Sequence, residues 1–261
     1  MTADRVLVDA YVGVVFDLDG VVYLASQPVP GAAETIAALH ERGVAVAYAT
    51  NNAARTRGEV AAQLVDMGID ASPEEVVTSS LAAAALLEPG TRCLVVGSEG
   101  LREPLRERGC VLVDDPDEAD AVVVGLTYDL VYDDLRRATL ALHRGARFIG
   151  TNADRTFPAP EGPWPGNGAI LAALTAASGR SPEIAGKPEL PLFRAAAARL
   201  PDGPLLMVGD RPETDLVGAR RLGWDTALVL TGVTTREAAA RLDPQPTYVL
   251  DDLTGLLAPA R

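Results

Sequence analysis

Residues 11–20 read YVGVVFDLDG, an apolar run that ends in two aspartates two positions apart and a glycine. Such a run is typical of a buried strand. Because positions i and i+2 of a strand share one face, Asp17 and Asp19 are predicted to project together from its carboxyl end, where Gly20 permits a sharp turn. Carboxylates about 4 Å apart repel by about 4 kcal/mol at an effective dielectric constant near 20. Either one carboxylate is protonated, or a cation lies between them; an ordinary aspartate-rich surface turn is the alternative.

Similar apolar runs recur along the chain, separated by helix-like stretches. Strands that alternate with helices predict an α/β fold with a doubly wound parallel sheet, in which ligands lie at the carboxyl ends of the strands. Near the end of the chain, Thr234-Thr-Arg-Glu237 has the form of a helix capping box. The predicted strands are Tyr11–Phe16, Val44–Ala49, Cys93–Val96, Ala121–Val124, Leu205–Val208 and Thr226–Leu230.

The middle of the chain contains a strand and helix set of its own, closed by the turn-rich stretch 157–168. At a length of 261 residues, the simplest organisation is one α/β domain inserted into another. We expect a core domain over residues 1–80 and 182–261 and a cap domain over residues 81–181.

Composition limits the classes of function. The chain has 36 acidic and 23 basic side chains, a formal net charge of −13. This balance disfavours binding to nucleic acid or to an anionic membrane surface. No apolar run is long enough to span a membrane, and residues 1–9 lack the apolar core of a signal peptide. Cys93 and Cys110 lack metal-type spacing and are predicted to be reduced thiols. We expect a cytoplasmic protein without nucleic-acid or membrane partners.

A second apolar run, residues 205–208, is followed by Gly209 and Asp210, with Asp215 five positions further on. Two parallel strands that both end in carboxylates predict a site for a hard cation. Oxygen ligands beside an anionic substrate favour Mg²⁺. For Asp215 alone, an acidic residue that offsets the dipole of the next helix is the alternative.

Neutral and basic groups complete the set of candidate residues. Thr50, Asn51 and Asn52 follow another predicted strand, and a hydroxyl, two amides and the turn's N–H groups can hold phosphate oxygens. An Asn-Asn pair is also a common turn signal. Lys187, in the sequence Gly-Lys-Pro, is the only lysine among the 23 basic residues. Its compact ammonium can neutralise a phosphate and Asp17 together.

These motifs, in this order, resemble the haloacid dehalogenase superfamily, and more closely its para-nitrophenyl phosphatase and phosphoglycolate phosphatase branch, the NagD-like proteins with a large α/β cap. The resemblance covers nearly the whole chain. FDLDGVVY, ATNN, GKP and VGDRPETD correspond to the four motifs of the superfamily, at residues 16–23, 49–52, 186–188 and 208–215. FIGTNAD and PGNGAI, at residues 148–154 and 165–170, resemble the return from cap to core.

The resemblance implies a phosphatase that hydrolyses small phosphate monoesters through an aspartyl-phosphate. Asp17 would be the nucleophile, and Asp19 the general acid and base. Mg²⁺ would be held by the Asp17 carboxylate, the main-chain carbonyl of Asp19 and Asp210, with Asp215 binding directly or through water. The implied substrates are phosphoglycolate, glycerol phosphate, sugar phosphates and nucleoside monophosphates.

By the same resemblance, the loop 50–52 and Lys187 would bind the transferring phosphoryl group. Substrate choice would belong to the cap, where Asp154 is the first candidate, with Asn152 and Trp164 beside it. For Asp154 a turn role and for Trp164 a packing role are the alternatives. A homodimer through the cap would be in keeping with the family. A phosphoryl-transfer protein, or a non-catalytic protein that binds phosphate and Mg²⁺ on the same fold, is the competing class of function.

Overall fold

The computed structural model describes residues 5–25, 27–159 and 161–259. By contacts the chain divides into two compact units, here called the first and the second unit. The first comprises Met1–Ala49, Gly58–Val77 and Ala196–Arg261, and the second Thr50–Arg57 and Thr78–Ala195. Residues 182–195 therefore group with the second unit, while the cap limits predicted from the sequence, 81–181, stay a prediction.

The first unit is built around a six-stranded sheet in the order β15-β14-β13-β1-β4-β5. Strand β1 pairs in parallel with β13 and β4, β13 with β14, and β14 with β15. The strands are β1 (Gly13–Phe16), β4 (Ala45–Thr50), β5 (Val76–Thr78), β13 (Leu205–Gly209), β14 (Asp225–Val229) and β15 (Tyr248–Leu250), and a hairpin of β2 (Tyr23–Leu24) and β3 (Gln27–Pro28) follows β1. Because all four residues of β1 are buried, β1 and its neighbour β13 lie at the centre of the core.

The second unit has its own parallel sheet, in the order β12-β9-β8-β6-β7. Its core packs apolar side chains of β6, β8 and β9 against helices α5 (Tyr132–His143) and α6 (Asn167–Ser178). The strands are β6 (Arg92–Val96), β7 (Val111–Val113), β8 (Ala121–Val124), β9 (Arg147–Gly150) and β12 (Glu183–Ile184), and β10 (Thr156–Ala159) and β11 (Gly162–Pro165) form an antiparallel hairpin.

Helices connect the strands. They are α1 (Ala32–Glu41), α2 (Arg57–Asp66), α3 (Ser79–Ala85), α4 (Glu99–Glu107), α5 (Tyr132–His143), α6 (Asn167–Ser178), α7 (Leu190–Ala197), α8 (Val217–Arg221) and α9 (Arg236–Ala239). Short 3-10 turns cover Leu7–Ala10 and Leu253–Leu257, and a π turn covers Pro212–Leu216. None of the helices within the described ranges has the length and apolar character needed to cross a membrane.

The predicted α/β class with parallel sheets is confirmed, and each of the six predicted strands is present with its ends shifted by no more than two residues. Two local predictions are wrong. The stretch 157–168 is not only turns, because it contains most of the β10–β11 hairpin and the start of α6. The cap of α9 is Thr235, whose side chain accepts the Ala238 N–H, and not Thr234.

Candidate active site

Three carboxylates meet in the first unit. One oxygen each from Asp17, Asp210 and Asp215 lies within 4.8 Å of the other two. Asp17 follows the last residue of β1, Asp210 follows β13, and the parallel pairing of these two strands brings their carboxyl ends side by side. Like charges at this separation repel by about 3 kcal/mol per pair at an effective dielectric constant near 20. Oxygen donors that converge with a net negative charge fit Mg²⁺.

Asp210 is held by the loop that follows β14. Its Oδ2 accepts the Val233 N–H at 2.8 Å, and its carbonyl accepts the Thr234 hydroxyl at 2.6 Å. From the same loop, Thr231 donates to the carbonyl of Gly20 at 2.6 Å. This loop was not among the site residues predicted from the sequence. A signal was available, because the polar stretch at residues 231–235 directly follows a predicted strand, at the end of the sheet where ligands bind.

Asp215 is fixed by main-chain groups. It is buried in the π turn, and its Oδ2 accepts the N–H groups of Asp210 at 3.2 Å and Arg211 at 3.0 Å. Donors on this oxygen partly compensate for its burial. Gly209 is required beside it, because a Cβ there would collide with the side chain of Asp215. Asp215 therefore closes the turn that starts at Asp210 and also presents a carboxylate to the cluster.

Asp19 lies on the turn after β1 and is exposed. Its backbone forms a bridge with Tyr23, and the next residue, Gly20, donates its N–H to the carbonyl of Tyr23 at 2.8 Å. The Asp19 carboxylate is not a member of the three-carboxylate cluster found among the described residues. The Asp19 carboxylate is therefore open to solvent, whereas Asp210 and Asp215 are buried.

The remaining candidates lie in the second unit. Thr50 ends β4 and is buried, and its Oγ1 accepts the Asn52 N–H at 3.1 Å. Because this bond occupies an acceptor site, the hydroxyl hydrogen can be directed to a bound anion. Asn52 Oδ1 accepts the Ala54 N–H at 2.9 Å, which forms an Asx turn.

The side chain of Asn51 is hydrogen-bonded to two other predicted site residues, Lys187 and Asp154. Its Oδ1 accepts the Lys187 N–H at 2.8 Å, and its Nδ2 donates to the Lys187 carbonyl at 3.1 Å and to Asp154 Oδ2 at 3.3 Å. Lys187 is buried, with 4% of its surface exposed. Asn152 donates to the carbonyl of Asn51 at 2.8 Å and accepts the Asp154 N–H at 3.1 Å. The TNAD and GKP motifs therefore meet at Asn51.

Trp164 packs in an aromatic group of its own. Its ring meets those of Tyr128 and Phe157 edge to face, with centroids 6.4 and 5.9 Å away. Trp164 and Tyr128 remain partly exposed. These contacts show packing between the β10–β11 hairpin and the loop after β8, which was the alternative given for Trp164.

The two cysteines do not supply a nucleophile. Both are buried, and burial with the neighbouring Cys110 raises the pKa of the Cys93 thiol to about 12. Burial also raises the pKa of Cys110. Thiols held protonated in this way are poor nucleophiles near neutral pH.

Comparison with known proteins shows the family to which the chain belongs. A haloacid dehalogenase-like hydrolase profile matches residues 14–111, and a second HAD-like hydrolase profile matches residues 184–256. These two ranges contain the three carboxylates.

Relatives match over almost the full chain. An acid sugar phosphatase of Staphylococcus haemolyticus is 41% identical over 248 residues, 93% of this chain and 94% of the relative. The crystal structure of a glycerol phosphate phosphatase from Mycobacterium tuberculosis in complex with magnesium is 38% identical, with a TM-score of 0.90 over 98% of this chain and 79% of that one. A p-nitrophenyl phosphatase from Archaeoglobus fulgidus is 34% identical, with a TM-score of 0.88 over 95% and 98% of the two chains.

The fold and the carboxylate cluster thus define a hydrolase of the haloacid dehalogenase type. The chain belongs to the haloacid dehalogenase-like hydrolases, as its motifs indicated. The predicted enzyme class, a phosphoric monoester hydrolase, is confirmed by relatives that are phosphatases.

Proposed function

We propose that the chain is a Mg²⁺-dependent phosphatase that hydrolyses small phosphate monoesters through an aspartyl-phosphate. The observation that carries this proposal is the cluster of Asp17, Asp210 and Asp215 in a chain whose relatives are phosphatases. Glycerol phosphate and sugar phosphates are the first substrates to test, because relatives of high coverage are named for them.

The chemistry divides between the two aspartates of the first motif. Asp17 attacks phosphorus, and the P–O bond to the alcohol breaks while Asp19 delivers a proton to the departing oxygen. Asp19, now ionised, takes a proton from a water molecule. That water attacks the phosphoryl group on Asp17, which releases inorganic phosphate and restores both carboxyl groups. The exposure of Asp19 supports this role, since its carboxyl group is accessible to water.

Mg²⁺ would be held by the carboxylates of Asp17 and Asp210 and the main-chain carbonyl of Asp19, with Asp215 binding directly or through water. When bound, Mg²⁺ offsets the negative charge of the phosphoryl group and of the nucleophile. The Val233 N–H and the Asp210 N–H hold the carboxylates of Asp210 and Asp215 in place, which limits the reorganisation that metal binding requires.

The groups proposed to bind the phosphoryl oxygens all belong to the second unit. Lys187 and the loop Thr50 to Asn52 bind the phosphoryl oxygens, with the Thr50 hydroxyl as one donor. Asp154 contacts the leaving group of the substrate. The bond from Asn51 to Asp154 supports this grouping. We also propose that the protein is cytoplasmic, that it forms a homodimer through the cap, and that it has no nucleic-acid or membrane partners.

The experiment is phosphate release from a panel of monoesters, with Mg²⁺ and then with EDTA. We expect release that depends on Mg²⁺ and is lost in Asp17→Asn, while the melting temperature of that variant stays near that of the wild type. Stoichiometric phosphate or Mg²⁺ binding without turnover would support the non-catalytic alternative. Transfer of the phosphoryl group to an alcohol in place of water would support a phosphotransferase.

A further inference from the structure

Asn51 meets Lys187 in an unusual way, because its side-chain amide pairs with the main chain of Lys187 and not with the ammonium. The amide oxygen accepts the Lys187 N–H at 2.8 Å, and the amide nitrogen donates to the Lys187 carbonyl at 3.1 Å. This is the two-bond pattern that a neighbouring strand would offer. The two residues are 136 positions apart in the sequence.

The hydrogen-bonding capacity of the Asn51 side chain is used in these contacts. A primary amide has two N–H hydrogens, and Asn51 directs them to the Lys187 carbonyl and to Asp154 Oδ2. To donate to a phosphoryl oxygen, the side chain would have to give up one of these bonds. Its oxygen is an acceptor and would repel a phosphoryl oxygen.

The surroundings hold Asn51 in this orientation. Its carbonyl accepts the Ser79 hydroxyl at 2.7 Å and the Asn152 amide at 2.8 Å. Asn167, which is buried, donates to the Asn152 carbonyl at 2.8 Å. A Cβ at Gly186 would lie 2.5 Å from Asn51 Oδ1, so only glycine lets the GKP segment approach this closely.

We infer that the Asn51 side chain is a positioning group, which sets the main chain of Lys187 and the carboxylate of Asp154 and does not itself bind the phosphoryl group. This inference rests on the proposed function for its catalytic consequence. The two hydrogen bonds between the Asn51 amide and the Lys187 main chain, here called the clamp, are testable without turnover.

The single lysine gives a direct test of the clamp. Labelling with ¹⁵N-lysine, in a protein whose purification tag contains no lysine, yields one backbone amide signal, that of Lys187. In Asn51→Ala we expect this amide to exchange with deuterium about tenfold faster, because its hydrogen bond is lost. The matched control is Asn52→Ala, which removes the neighbouring amide and the bond to Ala54 and should leave the exchange rate unchanged.

A mutant cycle tests the catalytic role. Lys187→Ala removes the ammonium but keeps the N–H and carbonyl that Asn51 holds. We expect Asn51→Ala to lower kcat/KM about 10- to 100-fold in the wild-type background. In a background that carries both Lys187→Ala and Asp154→Ala we expect a loss of less than about threefold, since a group that acts through these two residues has little left to lose. Independent, multiplicative losses would overturn the inference, because they would mean that Asn51 touches the substrate itself.

Asn51→Asp serves if Asn51→Ala fails to fold. It keeps the oxygen that accepts the Lys187 N–H but places a carboxylate against Asp154 and the Lys187 carbonyl. We expect a protected Lys187 amide together with reduced kcat/KM. A rapidly exchanging amide in this variant, or an unchanged exchange rate in Asn51→Ala, would contradict the clamp. If the wild type releases no phosphate, the proposed function fails while the exchange experiment still decides the clamp.

Discussion

At the scale of single residues, the carboxylate cluster depends on backbone that approaches Asp210 very closely. Gly20 has φ +85°, and a Cβ there would lie 2.5 Å from Asp210 Oδ2. We expect Gly20→Ala to destabilise the protein by about 2–4 kcal/mol, as left-handed strain and the collision add, and to weaken Mg²⁺ binding. Chemical denaturation and titration calorimetry with Mg²⁺ measure the two effects.

Gly43 provides the matched control, because it also has a left-handed φ, +74°, but no heavy atom lies within 4 Å of its added Cβ among the described residues. Gly43→Ala should therefore cost about 1–2 kcal/mol and leave Mg²⁺ affinity unchanged. Equal effects of the two substitutions on Mg²⁺ affinity would show that the close approach at Gly20 is irrelevant to the cluster.

Individual residues differ in how far the sequence could assign them. Asp17 and Asp210 were identified because each follows an apolar strand, a local pattern that survives folding. The hydrogen bond from Val233 to Asp210 was not predictable, because the donor is a main-chain N–H that lies 23 positions away in the sequence. The pairing of Asn51 with Lys187 was hidden for the same reason. Main-chain donors have no sequence signature, and only the fold places them.

At the scale of elements, replacing tyrosine by phenylalanine should have opposite effects on stability at two buried positions of the first unit. The Tyr11 hydroxyl donates to Asp225 at 2.8 Å and joins the start of β1 to β14. The Tyr48 hydroxyl, on β4, is buried and has no hydrogen-bond partner among the described residues. We expect Tyr11→Phe to destabilise by about 1 kcal/mol and Tyr48→Phe to be neutral or stabilising by up to about 1 kcal/mol, measured by urea unfolding.

The same two tyrosines should also limit the stability of the folded protein at alkaline pH. Burial raises the pKa of Tyr48, and burial with hydrogen bonds to Tyr248 and Asp225 raises that of Tyr11. A raised pKa in the folded state contributes stability that is fully present below the unfolded value, about 10, and is lost as the pH rises through the folded value. The free energy of unfolding should therefore fall above pH about 10, and less steeply in Tyr48→Phe. Parallel pH profiles of wild type and variant would rule this cause out.

The elements themselves were predictable where their pattern was strong. Continuous apolar runs identified six strands, because a strand buried on both faces needs no polar alternation. The β10–β11 hairpin was missed because Pro163 and Pro165 lie within it, and proline usually signals a turn. A two-stranded hairpin tolerates proline, since its outer N–H positions face away from the partner strand.

At the scale of the whole molecule, a chain of net charge −13 concentrates three carboxylates at one point. Mg²⁺ should relieve this repulsion and stabilise the folded state by about 2.7 kcal/mol at a concentration of 100 times its Kd. We expect the melting temperature to rise by several degrees with Mg²⁺ in the wild type and not in Asp210→Asn. Asp202→Asn, the same change at an exposed position outside the cluster, is the control and should retain the rise. A full rise in Asp210→Asn would place the metal elsewhere.

The overall arrangement was predictable because the motifs follow one another in a recognisable order: two near the start of the chain, a long intervening segment, then two more. Family profiles match residues 14–111 and 184–256, on either side of that segment, and a relative matches 93% of the chain. The limits of the inserted domain were harder to set, because residues 50–57 and 182–195 group with the second unit, whereas the sequence assigned both segments to the core.

The most direct test of the aspartyl-phosphate mechanism is to find the phosphoryl group on the enzyme during turnover. The wild type is mixed with Mg²⁺ and an excess of glycerol phosphate or p-nitrophenyl phosphate, quenched with acid within milliseconds, digested and mapped by mass spectrometry. We expect one phosphoryl group on the peptide that contains Asp17 in the wild type and none on that peptide in Asp17→Asn. Rapid turnover with no label on that peptide, or with the label on another residue, would contradict it.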